Sequence, residues 1–214
     1  MTPARALGAG LLLTGAAGFV DAVGFVALGG YYTSFMSGNT TQLGAGLVSG
    51  LGWSLLLPAG LIALFFVGSY LGTLLALSSP RWGVTRALLV VVGAIVVTLA
   101  LHFVGVPPAQ SMLALAGAAG AQNAVLQPIG SARLGATFVT GTLFAAGQDL
   151  AKARAGIAPP WRWLQHLMVW ASLCLGALFG AVAFATWNTD ALLIPAALYT
   201  GALLWFAVRP LRAA

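Results

Sequence analysis

Residues 22–80 pass without one charged side chain, as do 87–132, 163–189 and 191–208. Apolar runs of this length do not fit the core of a water-soluble domain. A bilayer span takes about 20 apolar residues, so six would use most of the chain. Only 6% of the residues are charged, where soluble domains carry about a quarter. The expected fold class is therefore all-α: a polytopic helical membrane protein in which 1–214 form a single integral membrane domain with the lipid bilayer as solvent.

The remaining charge is placed rather than clustered. Nine Lys/Arg against three Asp/Glu give +6, but the basic residues stand singly or in twos at the ends of apolar runs. That is a topology signal and no footprint for nucleic acid. The lone Cys174 can neither pair within the chain nor complete a cysteine metal site. The first apolar run continues through Asp21 without a small-residue cleavage site, so 7–29 reads as a permanent span rather than a removable leader.

Apolar runs and their breakers place spans at 7–29, 54–77, 84–106, 110–128, 162–185 and 191–208. Two further segments, 34–50 and 134–150, are mildly apolar, and whether they are re-entrant, spanning or interfacial stays open at this point. With six spans and a cytoplasmic N-terminus, Arg5, Arg81, Arg86, Arg133, Lys152, Arg154, Arg162, Arg209 and Arg212 all fall on one side and none on the other. Letting the two extra segments cross would split them. Six spans with both termini cytoplasmic is the expected topology. Trp53, Trp161, Trp163, Trp187 and Trp205 then sit at span ends as an aromatic belt.

The two halves share a pattern. GFVDAVGF at 18–25 precedes FMSGNTTQLG at 35–44, and GAQNAVLQ at 120–127 precedes FVTGTLFAAG at 138–147. Asp21 matches Asn123 at an offset of 102, Gly38 matches Gly141 and Gly44 matches Gly147 at 103, and Gly68/Gly72 match Gly176/Gly180 at 108. Repeat 1 covers about 7–106 and repeat 2 about 110–208. With three spans in each, an odd number, the second half enters the membrane from the opposite side, so the repeats are expected to be inverted, with short broken or re-entrant segments.

The quoted motifs resemble the YoaK-like family of bacterial inner-membrane proteins, a domain family of unknown function, over nearly the whole chain. The resemblance implies a six-span, multi-pass protein of the bacterial inner (cytoplasmic) membrane, and it implies no substrate or activity.

Asp21 is the one acidic residue well inside a span. A charge there costs at least about 2.5 kcal/mol, so it faces either a partner or water. Gly10, Thr14, Ala17, Gly18 and Gly24 share its helical face. It reads either as a proton or cation coupling site or as a structural carboxylate. Asn123, with Gln122 and Gln127 nearby, faces the same choice, with interhelical fastening preferred. Ser37-Gly38-Asn39-Thr40-Thr41 and Thr140-Gly141-Thr142 are polar interruptions suited to broken helices, with Gly38 and Gly141 as helix-break glycines. A half-helix starting there aims its free N–H groups at an anionic or strongly polar ligand. The other reading puts the first motif in an external loop and lays 143–155 on the cytoplasmic face with Gln148, Asp149, Lys152 and Arg154 toward water.

His102 and His166 have no metal-ligand spacing and read as interfacial or packing residues. No Ser-His-Asp set, phosphate loop, paired carboxylates or Cys/His cluster is visible, so no enzyme activity, cofactor or metal is expected. The Gly68/Gly72 and Gly176/Gly180 pairs mark close helix packing, expected within the chain, with a homo-oligomer left open. Pro58 and Pro195 lie inside later spans as candidate bends. The expected function is a small-solute transporter or permease, proton-coupled through Asp21. Its substrate or coupling-ion site would be formed by Asp21, Ser37, Asn39, Thr40, Gln122, Asn123, Thr140 and Thr142, with a small polar solute as partner. The alternative is a non-transporting lipid-binding or assembly factor whose polar residues only fasten helices.

Overall fold

The computed structural model describes residues 3–49, 52–125 and 139–208. Helix α1 (Pro3–Ala27) stops because Gly29 and Gly30 take φ of 66° and 106°, a left-handed region open to a residue without Cβ. The Gly30 N–H closes the last turn on the Phe25 carbonyl. The chain then doubles back through the irregular segment 28–35 into α2 (Met36–Ser49). There follow α3 (Trp53–Leu77), α4 (Gly83–Phe103), the single turn α5 (Pro108–Ser111) and α6 (Leu113–Val125). Then come α7 (Val139–Arg154), α8 (Arg162–Trp187), a 3-10 turn (Asn188–Leu192) and α9 (Leu193–Val208). Every regular element among the described residues is helical.

Four stretches are long and apolar enough to cross a bilayer: Leu7–Ala27, Ser54–Leu77, Gly83–Phe103 and Arg162–Val208, the last running through α8, its turn and α9. The chain is thus a helical membrane protein. The span expected at 110–128 differs. Pro107 and Pro108 start a separate turn, the helix is interrupted at Met112, and α6 runs for 13 described residues. At 1.5 Å per residue that is about 20 Å, less than the roughly 30 Å hydrocarbon layer. The remainder of that expected span lies outside the described residues. The mildly apolar segments form α2 and α7, 14 and 16 residues long, each packed on the long helix that follows it in sequence. Pro58 is accommodated inside a continuous α3. Pro195 falls in the first turn of α9, where no intrahelical N–H is lost.

Two pairs of helices form the centre, α8 on α1 and α3 on α6. A methyl at Gly176 would strike the carbonyl of Gly15, one at Gly180 the backbone of Phe19, and one at Gly18 the carbonyl of Leu173. In the other pair, Gly68 meets the carbonyl of Gly117, Gly72 the backbone of Ala121, and Gly120 the carbonyl of Phe65. One turn on, the contact Gly15–Gly176 becomes Phe19–Gly180 and Gly117–Gly68 becomes Ala121–Gly72, so the helices of each pair run parallel, and missing side chains allow the backbones to touch. Around this centre Val23, Leu61, Leu88, Ile95, Met112, Leu115 and Val169 are fully enclosed.

Candidate functional site

Asp21 lies on α1 six residues before its end, about 9 Å below it at 1.5 Å per residue. Its Oδ1 accepts three hydrogen bonds from the returning segment: Thr33 N–H at 3.0 Å, Thr33 Oγ1 at 2.9 Å and Ser34 N–H at 2.8 Å. Gly24, one turn on, gives Thr33 room, since a Cβ there would strike the threonine methyl. Two side chains of α2 hold the same segment. Asn39 donates from Nδ2 to the Tyr32 carbonyl at 2.7 Å and accepts the Tyr32 N–H on Oδ1 at 3.0 Å, and Gln42 Nε2 donates to the Gly30 carbonyl at 2.8 Å. The Tyr32 ring lies 4.8 Å from Phe25 and meets Phe35 edge-on at 5.2 Å. The result is a hairpin folded back into the bundle, with Thr33 and Ser34 at its tip and α2 rising from it.

The tip borders a void of about 10 Å³ lined by Ala17, Val20, Thr33, Ser34, Val91, Ile95, Ala118, Ala119, Gln122 and Tyr199. Val91 and Ile95 flank the midpoint of α4, so the tip reaches the middle of that helix. A void of about this size holds one water. On its far side Gln122 donates from Nε2 to the Leu13 carbonyl of α1 at 2.9 Å and accepts the Tyr199 hydroxyl at 2.7 Å. One amide thus ties α6 to α1 and α9 without leaving its own polar atoms bare.

The candidate residues therefore do not converge as one cluster. Asp21 and Asn39 meet on the segment 32–34, and Gln122 faces them across the void. Ser37 and Thr40 lie on the exposed side of α2, where Thr40 Oγ1 bonds back to the Met36 carbonyl at 2.8 Å. Asn123 is partly buried, Thr142 is buried and Thr140 is exposed. Gly38 is not itself the break: it sits in the first turn of α2 against the rings of Phe35 and Tyr32, and the irregular backbone precedes it. Gly141 likewise lies inside the first turn of α7, and the segment before it, 126–138, is outside the described residues. Thr33, Ser34 and Tyr199 were missed by motif reading. The signal for the first two was the Gly29-Gly30 pair, a turn marker eight residues past Asp21.

A second polar cluster joins α7 to α8. Arg162 forks onto Asp149 with Nε and Nη2 both at 2.7 Å, and His166 Nε2 stands 3.3 Å from the same carboxylate. Asp149, which the interfacial reading of 143–155 turns toward water, is buried: with Thr142 and Ala146 it forms the α7 face turned to α8, which helical spacing allows. The Arg162 guanidinium holds the Asp149 carboxyl below the usual carboxylate range. At the opposite end of α8, His102 Nε2 lies 3.4 Å from Asp190 in the 3-10 turn. Among the described residues no three His, Cys, Asp or Glu side chains gather as a metal site.

Comparison with known proteins matches residues 9–205 to a family described as protein of unknown function (DUF1275). The UPF0700 transmembrane protein RA0705 of Rhizobium meliloti (strain 1021) is 32% identical over 179 residues, covering 84% of this chain and 76% of the relative. Both findings bear out the resemblance to an unknown-function membrane family carried by the motifs. No solved structure matches.

Proposed function

This chain belongs to the DUF1275 family of proteins of unknown function, and on that premise we propose that it is a small-solute transporter of the bacterial inner membrane. It acts without enzymatic chemistry and is built as two inverted repeats of three spans with both termini cytoplasmic. Recurring contacts support the repeat. Adding 108 to the α3 residue and subtracting 102 from the α6 residue turns the contact Gly68–Gly117 into Gly176–Gly15, Gly72–Ala121 into Gly180–Phe19, and Gly120–Phe65 into Gly18–Leu173. The close approach of Gly46 to Ser54 corresponds, by 103 and 108, to the ion pair Asp149–Arg162. The central void is lined by matching pairs, Ala17 with Ala119, Val20 with Gln122 and Val91 with Tyr199, as expected on a pseudo-two-fold axis.

The observation that carries transport is irregular backbone at mid-bundle depth beside that axis. Non-helical chain at such depth is tolerated where protein buries it or where it lines a water-filled path, and inverted-repeat transporters bind their cargo at this place, next to half-helix ends. Thr33, Ser34, Gln122 and Asp21 supply hydroxyl, amide and carboxylate groups for a small polar solute, with Asp21 as the coupling carboxylate. The test is uptake of a panel of small polar solutes by proteoliposomes, with and without a pH gradient. Uptake above empty vesicles that is lost in Ser34→Leu supports the reading; no uptake of any member rejects it.

One observation favours a non-transporting role as a lipid-binding or assembly factor: Asp21, Asn39 and Gln42 all direct hydrogen bonds to the backbone of 30–34. That reading expects Ser34→Cys, in a Cys174→Ser protein, to stay unreactive toward impermeant thiol reagents from both sides. Transport expects it to react from at least one.

A further inference from the structure

The two halves are not packed alike. In the first, α4 buries one face along its length: Ala87, Leu88, Ile95 and Thr98 have no exposed surface. Their counterparts 108 residues on, in α9, are Pro195, Ala196, Leu203 and Phe206, and of these only Pro195 is buried. Where α4 packs along both α3 and α6, α9 meets α1 over a short stretch and leans chiefly on α4. The stand-off leaves a groove of about 930 Å³ between α1, α8 and α9, and a second of about 340 Å³ between α1 and the other flank of α9. The larger groove is not made for a polar ligand. Its hydroxyls are engaged, Ser172 Oγ on the Leu11 carbonyl at 2.6 Å and Thr186 Oγ1 on the Val182 carbonyl at 3.1 Å, and its other walls are aliphatic or aromatic. What fills the matching space in the other half is a helix of this chain.

The start of α9 is anchored. Thr189, Ala191 and Leu192 in the 3-10 turn are buried, and Tyr199 is held by Gln122. Beyond Tyr199 no described residue of α9 is buried. The turn itself opens on Asn188 at φ 50°, the one non-glycine residue with positive φ among those described.

We propose that α9 is a gate that swings about the Asn188–Leu192 turn into the α1–α8 groove, taking there the position α4 holds on α6 and α3, while α4 loosens in exchange. The structure is then one of two states related by swapping the roles of the halves. This rests on the inverted-repeat reading. Closure brings α9 to the separation of packed helices, about 8–10 Å between axes, and closes both grooves.

Spin labels in a Cys174→Ser protein in lipid nanodiscs test it. One pair is placed at Leu178 and Leu204, the matching pair at Tyr70 and Val96. All four positions are exposed, at 57%, 59%, 60% and 52%, and none lines either groove, so the labels leave the closing surfaces clear. The expected result is two distances for each pair, the shorter Leu178–Leu204 distance coinciding with the shorter Tyr70–Val96 distance, and conditions that enrich it in one pair depleting it in the other. A single fixed distance for each pair, unequal between pairs at acid and neutral pH, overturns the gate. Solute uptake is scored separately: exchange without uptake keeps the gate and rejects transport, and uptake with fixed distances rejects the gate alone.

Discussion

Replacing Gly176 by Ala tests the claim that backbone contact between α8 and α1 holds the centre together. The added Cβ would meet the Gly15 carbonyl oxygen, with the carbonyl carbon at 2.7 Å and Cα at 2.9 Å, where ordinary contact begins at 3.4 Å. All three atoms are backbone, so no side chain can turn aside and the helices must part. Overpacking of this kind costs about 1–3 kcal/mol. The absolute change is blurred by the gain from replacing a helical glycine, up to about 1 kcal/mol. Gly93→Ala removes that ambiguity, since its Cβ meets nothing within 4 Å and it shares the propensity term alone. The difference between the two variants should therefore be about 1–3 kcal/mol, and Gly68→Ala, striking Gly117 in the same way, should match Gly176→Ala. Equilibrium unfolding in mixed micelles of increasing denaturing detergent measures all three. If Gly176→Ala proved as stable as Gly93→Ala, close packing of these helices would be refuted.

Asp21→Asn should fold normally, because it keeps the Oδ1 acceptor for Thr33 and Ser34, but should abolish any dependence of uptake on the pH gradient; Asp21→Ala strands buried donors at about 1–3 kcal/mol each and should lower the yield of folded protein. Tyr199→Phe leaves the Gln122 carbonyl oxygen without its donor and should cost about 1–3 kcal/mol in the same unfolding assay, whereas a neutral result would dissociate that bond from stability. The Asp149 carboxyl, depressed by Arg162, contributes stability that is full above its unfolded value of about 3.9 and is lost as pH falls through the lower folded value. Asp149→Asn should thus be less stable at neutral pH, and its melting temperature should fall less on acidification than that of the wild type. A reporter fused after Ala214 should be active only if it works in the cytoplasm; activity of a periplasm-dependent enzyme there would reject the proposed topology.

Much of the architecture was legible because the bilayer allows so few solutions. Charge-free runs must become helices, since no water is present to satisfy the backbone, and the boundaries of α3, α4 and α8 follow from Ser78-Ser79-Pro80, Pro107-Pro108 and Trp161 almost as they stand in the chain. The shared glycine spacing likewise marked the two surfaces where backbones touch. The candidate site was read only in part. Asp21 and Asn39 were visible as polar groups in apolar surroundings, but their common target, the backbone of Tyr32 to Ser34, bears no distinctive side chain and was invisible. The place of Asp149 stayed open between two readings because a short helix looks amphipathic whether its carboxylate faces water or a guanidinium on the next helix.

By itself, then, the chain determined its solvent, its helices and the glycine surfaces on which they meet, because these depend on local apolarity and on the absence of a side chain. Only the tertiary structure decided that the Gly29-Gly30 turn sends the chain back to the level of Asp21, that Gln122 finds Tyr199 across 77 residues, and that α4 buries a face along its whole length while its counterpart α9 is buried only near its start. Each of these is a choice of partner between segments distant in sequence, set by shape and hydrogen-bond direction in three dimensions, to which a pattern of residue types is blind.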